Sequence, residues 1–188
     1  MAFSDALVVV VCLAAIGTDM RWRRIPNWLT FPAMGLGLLV NALEGGWNGL
    51  VRGAAGLLLA LLLTVPLFAL GFVKAGDVKL VAAFGIIKGV GATTVQSFAL
   101  WAFLYGALIG GLWALMTLAQ SRSLGLAWMR VREIAIQWLG GMVPTGSGGS
   151  RESALRQPMP YGVALSLGAL MALACERLWG HPFPLLGG

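Results

Sequence analysis

The 188-residue chain carries only seven acidic side chains. Asp5 and Glu44 fall at the ends of apolar stretches, Glu133 and Glu152 in a long polar segment, and Glu176 near the last apolar boundary. Two remain, Asp19 in GTDMRWRRIPN and Asp77 in KAGDVKL, each where an apolar run meets basic residues. Two carboxylates brought together from different helices, at an edge that water reaches, are the minimum equipment for aspartyl proteolysis. The ionised member takes a proton from water while the protonated member polarises the scissile carbonyl. Like charges a few ångströms apart do not both ionise comfortably, so such a pair shares one proton near neutral pH. Arg21 and Lys79, each two positions after its aspartate, oppose that effect. Each aspartate also has a plainer use: Asp77 can cap a helix by accepting backbone N–H groups, and Asp19 can neutralise the RWRR cluster.

Other chemistries lack their parts. Cys12 and Cys175 lie singly in apolar stretches without C-x-x-C spacing, so neither a metal site nor a cofactor is expected. His181 stands in the C-terminal tail, remote in the expected topology from both aspartates. No serine or cysteine has a base on its own side to activate it. The net charge of +6 would suit nucleic acid, but no reading motif or soluble basic face accompanies it, so no nucleic-acid partner is expected.

The elements that must position the aspartates follow from composition. Hydrophobic residues make up 59% of the chain and charged residues 11%, with a mean hydropathy of +0.85. So few polar groups do not cover a surface in water, and the outer solvent must be lipid. The 27 glycines support close helix packing, as small residues do in membranes. The expected fold is all-α: a polytopic membrane bundle of about six spans with a cytoplasmic interfacial amphipathic helix, residues 1–188 forming a single membrane domain. The spans expected are Phe3 to Thr18, Pro26 to Leu43, Gly53 to Val73, Leu80 to Gln96, Phe98 to Gln120 and Tyr161 to Trp179. Pro66 should kink the third, and Lys88 with Gly89 to Gly91 interrupts the fourth.

Lysines and arginines accumulate on the cytoplasmic side of membrane proteins. Arg21, Arg23, Arg24, Lys74, Lys79 and every arginine between 122 and 156 fall on one side of these spans, leaving Arg52, Lys88 and Arg177 on the other. Both termini are therefore expected outside, and Asp19 and Asp77 at the cytoplasmic edge. The 121–160 segment is expected as a cytoplasmic loop: apolar residues recur at helical spacing through Leu124 to Leu139, followed by the linker-like PTGSGGSRES.

The order of these motifs resembles the type IV prepilin peptidase family, the G-x-G-D aspartyl intramembrane proteases. Asp19 precedes a basic, proline-containing stretch; Gly76, Asp77 and Lys79 match the G-D-x-K part of the second motif; and MPYGVALSLGAL, from Met159, matches a proline-aromatic-glycine start to a late span. Lys74 stands where that motif has its first glycine. The resemblance implies Asp19 and Asp77 as catalytic residues of a bacterial inner-membrane endopeptidase. Its partners would be lipid and a prepilin with a cytoplasmic leader and one apolar helix. Larger members carry a four-cysteine cytoplasmic domain associated with N-methylation; Met20 to Ile25 leaves no room for it, as in the compact peptidases of tight-adherence (Flp) pili.

Around the aspartates, Gly76, Lys79, Pro26 and Asn27 are candidate substrate-binding or site-orienting residues, and Lys74 in place of the first motif glycine bears on how closely the backbone before Asp77 approaches a substrate or another helix. Asn27 beside Pro26 either orients the peptide backbone or serves as ordinary helix-start chemistry. Lys79 either orients Asp77 or reaches lipid phosphates. Two other classes compete: a small transporter or channel, which would place ionisable groups at mid-bilayer, and a noncatalytic pilus or secretion platform, which would tolerate loss of either aspartate.

Overall fold

The computed structural model describes residues 3–91, 96–120 and 161–182. Five helices are present among them: α1 (Phe3–Trp22), α2 (Asn27–Ala69), α3 (Ala75–Lys88), α4 (Phe98–Gln120) and α5 (Tyr161–Trp179). The chain divides into two compact units, 1–110 with 160–188, and 111–159. Of the second unit, 111–120 is described, the apolar C-terminal part of α4. The loop expected at 121–160, with its interfacial helix, lies outside the described residues.

Four helices, α1, α2, α4 and α5, are long and apolar enough to cross a membrane. Their most hydrophobic windows are between 22% and 50% buried, and side chains such as Leu58, Leu62 and Leu108 are exposed, as suits helices bathed in lipid. The separate spans expected at 26–43 and 53–73 are continuous in helix α2, whose one non-helical residue is Gly46 (φ 56°, ψ −135°). Only glycine takes that conformation without steric cost. There the chain doubles back. A Cβ on Gly53 would stand 3.4 Å from Asn41 Nδ2, although in a straight helix those residues would be about 18 Å apart.

Between the two arms of α2 lies α3. Every residue from Leu80 to Ile87 is buried, which is the pattern of a helix covered by protein all round. Gly37 in the first arm meets Ile86 and Ile87, while Gly56 in the second lies against Gly85, so that small residues set the closeness of the helices. The span expected at 80–96 is corrected at both ends. Helix α3 starts five residues earlier, because Lys74 and Asp77 form its cap, and stops at Lys88, where Gly89 turns out with φ 67°. Its 14 residues measure about 21 Å, short of a hydrocarbon core of about 30 Å.

Helix α5 packs against α1 and α4. Gly168 and Gly106 bring α5 and α4 into backbone contact, and Tyr105 Oη donates to the Pro182 carbonyl at 3.0 Å. Far from the two aspartates, α1, α3 and α5 are tied by charge. Lys88 Nζ lies 2.8 Å from both Asp5 Oδ1 and Glu176 Oε2, and Arg177 also pairs with Asp5. The side chains of Asp5 and Lys88 are under one-tenth exposed, so each satisfies a charge the other has withdrawn from solvent.

Candidate active site

Asp19 sits in the last turn of α1 rather than just beyond it. That helix ends where Arg23 turns left-handed (φ 52°) and donates its N–H to the Asp19 carbonyl at 2.9 Å, a left-handed C-terminal cap. The turn sends the chain through buried Ile25 to Pro26, the N-cap of α2, with Asn27 as its first helical residue. Asp77 lies in the first turn of α3. Its N–H donates to the Lys74 carbonyl at 3.0 Å, and its Oδ2 accepts the Lys74 N–H at 3.3 Å. The capping use open to Asp77 is therefore present.

Both aspartates are buried, 5% and 4% exposed. The Asp19 Oδ2 accepts the N–H of Val163, in the first turn of α5, at 3.2 Å. Each carboxylate is thus held through one oxygen by a backbone N–H at a helix start, where such donors lack intrahelical partners. Asp77 lies outside the four helices long enough to span. Burial pushes its carboxyl up to about 6; the Lys74 N–H draws it down, the Asp19 carboxylate raises it, and the Lys74 charge again lowers it. The negative charge of Asp19 is therefore felt at Asp77.

Ile25 joins the two segments. A Cβ on Gly76 would stand 3.3 Å from Ile25 Cβ, and one on Gly162 would stand 2.8 Å from Ile25 Cδ1 and 2.9 Å from Asp19 Oδ2. Gly76 thus allows the start of α3 to approach the α1–α2 connection closely, although Lys74 replaces the glycine two residues before it. Lys79 turns away from Asp77: its Nζ donates to Asn27 Oδ1 at 2.8 Å and lies 5.5 Å above the Phe31 ring. Asn27 and Lys79 therefore share one exposed contact between α2 and α3.

Ile25 and Val163 were not singled out by the sequence, and Gly162 stood out only as the glycine of the proline-aromatic-glycine start, with no link to Asp19. Ile25 carried a faint signal, as the one aliphatic residue among the arginines before Pro26. Val163 meets Asp19 across 144 residues, a relation no local pattern encodes. Among the described residues no three side chains of metal-ligating type come together. A cavity of about 580 Å³ opens at the other end of the helices, lined by Asn41, Glu44, Arg52 and the Asp5–Lys88 cluster; neither Asp19 nor Asp77 lines it.

Comparison with known proteins bears on this arrangement. No curated protein and no solved structure matches the chain. A family model described as the type IV leader peptidase family matches residues 6–115, more than half of the sequence, taking in both aspartates, most of α1 and all of α2 and α3. The chain belongs to the type IV leader peptidase family, the aspartic prepilin peptidases.

Proposed function

We propose that this enzyme removes the leader of type IV prepilins, of the Flp kind, at the cytoplasmic edge of the bacterial inner membrane, with Asp19 and Asp77 as its catalytic pair. The observation that carries the reading is that two buried carboxylates, 58 positions apart in the chain, share a neighbour: Gly76, next to Asp77, packs on Ile25, and Gly162, against Asp19 Oδ2, packs on the same Ile25. Burial favours the neutral form of Asp77, which suits it to hold the shared proton and donate a hydrogen bond to the scissile carbonyl. Asp19 then takes a proton from water as the oxygen attacks that carbonyl carbon. Collapse of the tetrahedral intermediate breaks the C–N bond, and the leaving nitrogen takes up a proton from the pair, restoring one shared proton.

The topology that goes with this reading counts the two arms of α2 separately and includes α3, giving six membrane-embedded helices with both termini outside and the 121–160 loop in the cytoplasm, carrying the interfacial helix. The whole chain then works as one membrane domain. A prepilin presents its leader junction to the inner edge while its apolar helix stays in lipid and packs on the bundle by van der Waals contact. Pro26 starts the helix that carries Asn27, and the Asn27–Lys79 pair offers an amide and an ammonium to the leader. Proteolysis alone is proposed, without N-methylation.

The experiment compares membranes holding wild type, Asp19→Asn or Asp77→Asn, each incubated with a prepilin-like substrate. Leader removal is expected to disappear in both variants with protein level and topology retained. Cleavage by either variant would overturn the pair.

A further inference from the structure

Asp19 occupies an awkward place, because a carboxylate in the last turn of its own helix faces the negative end of that helix's dipole. The compensation comes from α5, whose first turn points the Val163 N–H, which has no partner within its own helix, at the same carboxylate. Gly162 makes the approach possible. A Cβ there would stand 2.9 Å from Asp19 Oδ2 and 3.1 Å from Asp19 Cγ, inside the distance real Cβ atoms keep. The remaining crowding, 2.8 Å to Ile25 Cδ1, is with the far end of a flexible side chain that can move aside cheaply. Any side chain at 162 therefore acts chiefly on the carboxylate. The tight glycines Gly106 and Gly168 meet backbone instead, so their smallness serves helix packing.

We propose that the first turn of α5 is the positioning element for Asp19: Gly162 admits it, and the Val163 N–H fixes Oδ2 so that Oδ1 is the oxygen that receives the proton of the attacking water. This rests on the two-aspartate reading and adds to it a third helix with a defined task. Gly162 and Val163 touch neither substrate nor water in this scheme; they act through Asp19.

The test measures kcat and KM for leader removal by the full-length protein in detergent or liposomes. Gly162→Ala is expected to lower kcat roughly 100-fold, the scale of an ångström-sized misplacement, with KM changed less than about threefold. Adding Ile25→Val, which trims the other crowded atom, is expected not to restore the rate. Val163→Pro deletes the N–H without removing an intrahelical bond, since a first-turn N–H has none to lose, and is expected to lower kcat to a similar degree. Wild-type kcat in Gly162→Ala, a rise in KM alone, or full rescue by Ile25→Val would overturn the proposal. Should Gly162→Ala fail to accumulate, Val163→Pro decides by itself: retained kcat overturns the proposal. Asp19→Asn and Asp77→Asn run alongside. Activity in either sinks the catalytic pair itself, whereas inactivity of both with wild-type kcat in Gly162→Ala and Val163→Pro sinks only the role of α5.

Discussion

The side-chain amide of Asn41 donates to the Ile86 carbonyl at 2.8 Å, across 45 positions of sequence, and reaches the Ile87 carbonyl at 3.2 Å. These carbonyls belong to the last turn of α3, where no further helical N–H is available to them. Asn41→Leu keeps the bulk but removes the donor. We expect a loss of about 1–3 kcal/mol in stability, the cost of leaving buried carbonyls unsatisfied. Thermal unfolding in detergent, followed by far-UV circular dichroism, measures it.

Asp77 gives a stability signal that depends on pH. Its carboxyl is raised from 3.8 to about 6 in the folded protein, so folding favours the protonated form. The stability this confers is fully present below about 3.8 and is lost as pH rises through about 6. Asp77→Asn removes the titration. The variant should gain stability over wild type at pH 8 by about 2–3 kcal/mol relative to the difference at the acid end, because a tenfold change in acidity is worth about 1.4 kcal/mol. Equal pH dependence in the two proteins would exclude this.

The same titration has a kinetic expression. With Asp77 holding the proton, kcat/KM, which reports groups of the free enzyme, should decline as pH rises through about 6. Among the described residues Asp19 on α1, Lys74 ahead of α3 and Tyr161 on α5 are titratable groups that interact with Asp77, so the limb belongs to the cluster rather than to one carboxyl. A profile rising through that range would reverse the assignment of the two roles.

The Asp5–Lys88 pair predicts stability without catalysis. Lys88→Met leaves Asp5 with Arg177 alone and Glu176 without its ammonium partner. Breaking a buried pair from one side typically costs about 3–5 kcal/mol, and the surviving Arg177 contact places the expectation at about 3 kcal/mol. Cleavage per folded molecule, measured well below the unfolding temperature, should stay within about twofold of wild type. Glu176→Gln combined with Lys88→Met should recover part of the stability, since Glu176 is the carboxylate left without its ammonium partner.

Much of the helical frame was legible in apolar runs, because lipid imposes long uninterrupted helices: the stretches beginning at Phe3, Phe98 and Tyr161 stand as α1, α4 and α5. The bend in α2 was less so. Residues 44–52 are mixed in polarity and read as a gap, yet helical hydrogen bonding resumes after Gly46 because α3 and Asn41 give the second arm a surface to pack on. At α3, hydropathy marks the apolar stretch from Leu80, whereas the cap between Lys74 and Asp77 decides where the helix begins. Asp19 and Asp77 stood out because acids are scarce here. Lys79, two positions from Asp77, suggested a partner for it, but its long side chain reaches Asn27 on a neighbouring helix instead. Contacts of that kind depend on how helices are rotated, and no spacing within one segment records it.

The enclosure of α3 by the arms of α2 bears on biogenesis. A helix of this length with no side facing lipid gains little by partitioning into the bilayer alone. Its embedding is therefore bound to the prior arrival of the hairpin that receives it, and Asp77 travels into place as cargo of that docking. Proteolytic competence then waits on that docking, which spares a nascent chain from exposing a half-built hydrolase.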